Sequence, residues 1–271
     1  MAGGNEVEQA SSLARRVRQN VVEMIYLGQS SHVGSCLSMA DLIACTYSIM
    51  NVDASKPDSI DRDFFILSKG HAGAAVYATL AELGFFEKER LKLHYKNGST
   101  MSGHVSHKHN PGVEFSTGSL GHGLAVCAGI AYAHKLVSRQ NKTYCILSDG
   151  ELDEGSNWEA FQFAGHHGLS NLRILVDYNK LQSIKSCEDT VRLEPLADKL
   201  EAFNWTVRRV DGHCHESIIA ALKEPSDQPV VLICDTIKGK GVSFMEGKVR
   251  WHYTPPNEEE FKQAIAELGG Q

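Results

Sequence analysis

The sequence predicts a three-layer α/β/α fold in which a mainly parallel sheet carries helices on both faces. Three observations predict it. Five short runs are apolar and rich in β-branched or aromatic residues. Helical stretches separate them, in regular alternation after Gly123, and polar residues cluster where the runs end. Sheets of this kind bind ligands beyond the carboxyl ends of their strands, so the residues just past each run are the first candidates for function.

The N-terminal segment 8–50 reads as helical. Leu13, Val17, Val21, Met24 and Ile25 fall on one helical face, and Gly28 stops the pattern. Ser38 and Asp41, three residues apart, read as a capping box that opens a second helix through Leu42, Ile43 and Tyr47. "FFILS" (64–68) is the first strand. "KGHAGAAVYATLAELG" then supplies a short glycine turn, an alanine-rich helix and a stop at Gly84. Residues 87–117 are polar, rich in histidine and glycine, and without clear period. They are expected to form a long functional loop with a short helix near Leu91. After them come helix 124–138, strand "TYCILS", a helix at about 154–167, strand "LRILVD", helix 194–203, strand "WTVRRV", helix 216–223 and strand "PVVLICDT". No repeat or low-complexity linker interrupts the pattern, so residues 1–271 are expected to form one domain.

Composition excludes some functions. Twenty-seven basic and 33 acidic residues are spread along the chain for a net charge of -6, leaving no basic tract for nucleic acid or an anionic membrane. At 271 residues and 42% hydrophobic content the chain can bury a full core. Its seven cysteines are dispersed, mostly in apolar runs, and never form a C-x-x-C pair, which reads as reduced thiols in a cytoplasmic protein. Neither an apolar signal core nor a run of about eighteen apolar residues is seen, so no membrane span is expected.

"ILSDGELDEGSNWEA" (146–160) crowds Asp149, Glu151, Asp153 and Glu154 just past a strand. Asp149 follows "TYCILS"; Asp177 and Asn179 follow "LRILVD". A right-handed crossover brings two such strand ends to the same edge, where Asp149 and Asn179 can offer oxygen to one cation. Magnesium suits a few protein oxygens together with phosphate oxygens. Glu151 and Asp153 read as helix caps, with Asp153 and Glu154 at the positive end of the helix dipole. In "DGHCHES" (211–217), His213, Cys214 and His215 are too close in sequence to chelate one tetrahedral ion, and no second pair stands at finger spacing, so a strand-to-helix turn is expected rather than zinc.

Asn179 follows Asp149 by thirty positions, and Gly150 follows the aspartate directly. This resembles the thiamine diphosphate fingerprint, G-D-G followed by about thirty residues and an asparagine, with Ser148 in place of the first glycine. "SSHVGSCLSMAD" (30–41), "DRDFFILSKGHA" (61–72), "MSGHVSHKHNPGVEFSTGSLGHG" (101–123), "VDYNKLQ" and "TIKGKGVSFMEGKVRWHY" (236–253) have the order and spacing seen in transketolases. The match is similar to the N-terminal, diphosphate-binding part alone, as in one subunit of a split transketolase.

That resemblance implies a thiamine diphosphate-binding fold and a role for each matched position. Asp149, Asn179 and the main chain of Leu181 correspond to ligands of Mg2+, with Ca2+ or Mn2+ able to substitute. Gly150 and Glu151 lie where loop amides meet the diphosphate. Gly118, Ser119 and Leu120 match the segment along the cofactor. His71 and His252 match cofactor-proximal positions. His32, His104 and His252 match the substrate funnel, although Val33 stands where many relatives have proline. Glu154 matches a glutamate relaying between the two sites of a dimer. The implied activity is transfer of a two-carbon ketol unit from a ketose, expected to be a sugar phosphate, to an aldehyde or aldose. The implied partner is a C-terminal subunit carrying the pyrimidine-binding domain, in a heterotetramer with two copies of each. The motifs favour this over the alpha subunit of a 2-oxo acid dehydrogenase, which shares Asp-Gly and a later Asn, and over deoxyxylulose phosphate synthase. A nicotinamide dehydrogenase or a nucleotide hydrolase would need glycine motifs that are absent, and a scaffold with a degenerate site would not keep every cofactor position. His107, His109, His166, His167, His213 and His215 are read as ordinary loop or surface histidines.

Overall fold

The computed structural model describes residues 3–270; Met1, Ala2 and Gln271, the ends of the expected 1–271 span, lie outside the described residues. The chain runs α1 (Gly3–Gly28), α2 (Val33–Ser38), α3 (Ala40–Ile49), β1 (Phe64–Leu67), α4 (Gly73–Glu82), α5 (Gly123–Leu136), β2 (Thr143–Ser148), α6 (Gly155–His166), β3 (Leu172–Tyr178), α7 (Cys187–Thr190), α8 (Leu196–Glu201), β4 (Thr206–Asp211), α9 (His215–Lys223), β5 (Val230–Asp235) and α10 (Glu258–Gly269). The five strands form one parallel sheet in the order β1-β2-β3-β5-β4. Every residue of β2 and β3 is buried, as expected for strands covered on both faces.

Strand order decides which face each helix covers. The chain steps in one direction from β1 to β2, β3 and β4, and right-handed crossovers put α5, α6 and α8 on one face. From β4 it steps back to β5, so α9 lands on the other face, beside α1, α3, α4 and α10. Successive strand residues alternate between the two cores: Tyr144 and Ile146 join the one shared with α1, α3 and α4, while Cys145 and Leu147 join the one shared with α5 and α6. No helix among the described residues is long and apolar enough to cross a membrane.

The α1 helix buries Leu13, Val17, Val21, Met24 and Ile25 as the spacing predicts. Gly84, at φ 83°, ends the α4 segment in the left-handed region that glycine enters without penalty. The Ser38–Asp41 capping box does not form. α2 abuts α3 with only Met39 between them, and α3 has no side-chain cap. The Ser38 hydroxyl instead donates to Ser35 O and to Asp177, and Asp41 pairs with Arg18 and His213. Both side chains are buried and engaged by partners distant in sequence, which outweighs local capping. The α7 and α10 helices were not expected, and α2 is a separate short helix inside the 8–50 segment read as helical. α10 opens with a capping box of its own, Asn257 with Glu260.

Residues 87–117 contain no strand, and the short helix expected near Leu91 is present as a 310 helix over Lys88–Leu93. The segment is tied down. Val105 N donates to Gly70 O at 2.9 Å, Thr117 Oγ1 donates to Leu67 O, and the Asn110 amide bridges Thr100 O and Ser106 O. Gly70 and Gly73 permit this approach: a Cβ at Gly70 would lie 2.3 Å from Thr117 O, and one at Gly73 would lie 2.5 Å from Val105 N. Gly70→Ala is therefore expected to force the backbone apart and cost about 1–3 kcal/mol of stability. An unchanged midpoint in chemical denaturation would contradict that contact.

Candidate active site

Parallel strands align the ends of β1, β2, β3 and β5, and each end delivers a polar side chain. β2 and β3 pair with Ser148 opposite Asp177, so Asp149 and Asn179 emerge from neighbouring strands, as the crossover rule requires. Asp177 lies within β3 rather than beyond it. Its carboxylate, fully buried, accepts from Lys69, Ser38 and Thr236, and from Asn179 Nδ2 at 3.3 Å. Burial opposes ionisation here, but Lys69 and the hydroxyl donors outweigh it and hold the Asp177 carboxyl below its ordinary value.

Asp149 is 1% exposed and differently placed. Gly150 N donates to its Oδ1 at 2.8 Å and Lys180 N to its Oδ2 at 2.5 Å. Burial, reinforced by the neighbouring Asp177, pushes its pKa up to about 6. Lys69 is committed to Asp177, so a buried carboxylate is left facing a cavity without a cation of its own among the described residues. Asn179 and Leu181 line the same cavity, of about 250 Å3. A carboxylate, an amide oxygen and a main-chain carbonyl are hard oxygen donors, the set that magnesium prefers. The residues present therefore fit a divalent cation. Among the described residues no group of three or more His, Cys, Asp and Glu that could hold a metal is found, and His213 and His215 both lie against Asp41.

The other three acids of 146–160 separate by depth. Glu151 is fully buried and is not a helix cap. It accepts from Ser68 Oγ at 2.5 Å, Gly121 N at 3.0 Å and Ser148 N at 3.3 Å, tying the ends of β1 and β2 to the turn before α5. Asp153 is exposed and accepts from Gln182 Nε2 at 2.8 Å instead of capping α6. Glu154 is the N-cap residue of α6 but makes no side-chain cap bond, and it is exposed beside Gly121, away from the cavity. A 310 turn over Gly150–Asp153 causes this dispersal, sending successive side chains about 120° apart.

Four histidines from distant segments meet across the cavity. His32 lies between α1 and α2, His71 in the 310 turn after β1, His104 in the 87–117 segment and His252 at the end of a 310 turn over Val249–His252. The His32 ring is 5.1 Å from His71, 5.5 Å from His104 and 4.9 Å from His252, centroid to centroid. His32 is held at φ 77°, and its N–H donates to His252 O at 2.7 Å. A non-glycine residue in that region is strained, as functional side chains often are. Burial, with His104 and Lys238 adding to it, lowers the His32 pKa to about 4; burial and Lys238 lower that of His252 to about 3. Burial and Lys69 take His71 well below its ordinary value, and burial lowers His104. The imidazoles are therefore neutral at neutral pH, each with one donor and one acceptor nitrogen.

Gly118, Leu120 and Gly150 also line the cavity, whereas Ser119 and Glu151 do not. A Cβ on Gly150 would meet Gln182 at 2.8 Å, and one on Gly118 would meet the His104 ring at 3.2 Å. Sequence reasoning missed Lys69, Asp177 as an ion-pair partner, and Lys238. Lys238 is 1% exposed and donates to Leu181 O at 3.2 Å and Gln182 O at 2.9 Å, with His252 Nδ1 at 3.1 Å. Burial and Lys69 lower its pKa to about 8. Both lysines stand shortly after apolar runs, which was the available signal.

Residues 9–271 match the family model described as transketolase, thiamine diphosphate binding domain. The chain belongs to the transketolase family. It is 39% identical over 259 residues to a 6-deoxy-6-sulfo-D-fructose transketolase subunit of a Clostridium species, covering 94% of each chain. It is 37% identical over 267 residues to an apulose-4-phosphate transketolase subunit of Phocaeicola vulgatus, covering 97% of this chain and 95% of that one. Among solved structures, a Campylobacter jejuni transketolase superposes with a TM-score of 0.89 at 29% identity, covering 98% of this chain and 43% of that one. Pichia stipitis transketolase in complex with sedoheptulose-7-phosphate gives 0.90 at 28% identity, covering 97% of this chain and 41% of that one. The chain thus spans about two fifths of those transketolases but nearly the whole of the separate subunits. It is the N-terminal, diphosphate-binding subunit of a split transketolase, as the motifs implied, and the 2-oxo acid dehydrogenase and deoxyxylulose phosphate synthase alternatives are not favoured.

The electrostatics make one expectation testable. His32 and His252 should stay neutral from pH 8 down to pH 5, measured by imidazole chemical shifts in nuclear magnetic resonance titration. Midpoints near the ordinary 6.5 at both rings would contradict the burial that sets them apart.

Proposed function

We propose that this transketolase subunit binds thiamine diphosphate through Asp149, Asn179 and Leu181, and transfers a two-carbon ketol unit from a ketose phosphate to an aldehyde or aldose. The observation that carries the proposal is the convergence of this oxygen set with four neutral histidines on one cavity. When bound, thiamine diphosphate supplies the stabilisation of the carbanion that ketol transfer requires. Asp149, the Asn179 side-chain oxygen and the Leu181 carbonyl would hold Mg2+, or Ca2+ or Mn2+ in its place. Lys238 would neutralise part of the anionic end. Gly118, Leu120 and Gly150 would leave room for the cofactor to lie against the backbone, with Ser119 and Glu151 supporting those turns from outside the cavity.

The histidines divide the remaining work. His71, deepest beside Lys69, would contact the cofactor. His32, His104 and His252 would hold substrate hydroxyls and carbonyl oxygen, accepting and returning protons without a charged resting state. His32 is central, within ring contact of the other three, and suits a relay. Glu154, exposed beside the Gly121 turn, would lie near a two-fold axis and couple two sites.

The catalytic half supplied by another chain would contain a carboxylate for the cofactor's pyrimidine ring and an apolar pocket around it. A C-terminal subunit with the pyrimidine-binding domain would provide both, in a heterotetramer placed in the cytoplasm and acting in carbohydrate metabolism of the pentose phosphate type. The names of the relatives point to sulfonated and phosphorylated ketoses as the substrate class to try first.

Asp149→Ala is expected to abolish magnesium-dependent binding of thiamine diphosphate, because diphosphate charge would lack its bridge to the protein. Equal affinity in calorimetric titrations of the variant and the unsubstituted chain would remove Asp149 from the metal site. The purified chain alone, saturated with cofactor and magnesium, should show no ketol transfer on a panel of ketose donors until its partner is added. Rates equal to those of the mixed complex would refute the divided site.

A further inference from the structure

The segment carrying Lys238 has no ladder to hold it. β5 ends at Asp235, and residues 236–241 are irregular, yet Lys238 threads its side chain to the cavity floor almost without exposure. The peptide before it is bonded through a side chain. Ile237 N donates to His213 Nε2 at 2.9 Å, and His213 Nδ1 stands 2.7 Å from Asp41 Oδ2. Because Nε2 accepts, Nδ1 carries the proton and donates to the carboxylate, which fixes one neutral tautomer. Asp41 grips the same segment a second time. It pairs with the two terminal guanidinium nitrogens of Arg18, and Arg18 Nε donates to Lys240 O at 3.2 Å. His215 Nε2 comes within 3.0 Å of Asp41 Oδ1 without hydrogen-bond geometry.

Further contacts complete the clamp. Gly239 N donates to Gly34 O at 3.0 Å, and Gly247 N donates to Lys238 O at 2.9 Å. Gly34 leaves space for the lysine stem, since a Cβ there would sit 3.2 Å from Lys238 Cγ. Ile237, Lys238, Gly239 and Lys240 are thus each held, and the bonds at Ile237 and Lys240 both trace back to the Asp41 carboxylate.

We propose that Asp41 and His213 form a positioning pair that presets Lys238 for the anionic end of the cofactor. Neither residue reaches the cavity; they act through the Ile237 amide. A lysine has four rotatable bonds, and its stem must be aimed before its charge can be used without an ordering penalty. Fixing the peptide that launches the side chain supplies that aim. The inference rests on the cofactor reading of Lys238 given above.

A double-mutant cycle tests it, with binding of thiamine diphosphate and magnesium measured calorimetrically on the chain purified together with its partner. His213→Asn keeps a donor toward Asp41 but leaves Ile237 N–H without an acceptor. His213→Gln can place an acceptor near the Nε2 position. Lys238→Met removes the charge. His213→Asn should weaken binding about ten- to hundredfold, the range for losing the use of a charge-assisted hydrogen bond, with His213→Gln recovering part of it. In the Lys238→Met background, His213→Asn should add less than about twofold, because the two residues act on one contact. Amide exchange at Ile237 should quicken in His213→Asn while the melting temperature stays within a few degrees. Unchanged affinity in His213→Asn, or full additivity in the double variant, would overturn the positioning role while leaving the cofactor reading intact. If His213→Asn does not fold, His213→Ala, which likewise leaves the Ile237 N–H without an acceptor, carries the same cycle, and the same two results would support or overturn the role. No binding by the unsubstituted complex would overturn the cofactor reading and this inference with it.

Discussion

The buried ion pair between Lys69 and Asp177 is the constraint on which the site depends. Both side chains are fully removed from water, and such charges persist only when every polar atom finds a partner. Lys69 also donates to Ser35 O, and Asp177 collects donors from Ser38, Thr236 and Asn179. One carboxylate thereby joins α2, the turn after β1, the end of β3 and the exit of β5. Removing either charge from a pair of this kind typically costs about 3–5 kcal/mol, because the survivor is buried alone. The pair also commits Lys69, which could otherwise have satisfied Asp149. Two carboxylates on neighbouring strand ends, one neutralised internally and one left facing a cavity, form a site that favours a bound cation.

That arrangement also sets the histidines. Poor hydration, with the buried lysines adding to it, makes an imidazolium unfavourable at the cavity wall, so the rings remain neutral. Neutral rings at close spacing suit a reaction that moves protons among hydroxyls and a carbonyl, since each ring can give and take without first losing a charge. The strained backbone of His32 fits this picture. Its amide is held by the His252 carbonyl, so the two rings are set relative to each other by a main-chain bond and not by side-chain packing alone.

Much of this was legible in the sequence. Alternation of apolar runs with helical periods gave the parallel sheet and each of its strands, because burial on both faces leaves a plain signature in β2, β3 and β5. Adjacency of β2 and β3, and so of Asp149 and Asn179, followed from connection handedness. The histidines came from resemblance, since no local pattern separates His32 from surface residues such as His107. Ser38, Asp41 and Glu151 departed from expectation for one reason. A Ser, Asp or Glu before a helix has a local use, but Ser38, Asp41 and Glu151 are claimed by partners 23 to 172 positions away. Short α2 carries too few turns to show a period. α10 does carry a local signal, Asn257 with Glu260, but it lies at the cap and not in the apolar period.

Lys238 shows why such residues escape a reading along the chain. A lysine after a strand is ordinarily solvated, and nothing local distinguishes one that is buried. Its burial follows from topology. β5 is reached by a backward step from β4, and that step inserts it beside β3, with Asp177 opposite Cys234. Thr236 can then bond Asp177, and two residues later the chain crosses the end of β3 to meet Leu181 O and Gln182 O. Had the chain continued outward, with β5 at the sheet edge, the same lysine would point into solvent and the floor of the site would lack its second cation. The reversal that sends α9 to the far face is thus also what brings charge to the site, so the placement of Lys238 is a property of strand order before it is one of sequence.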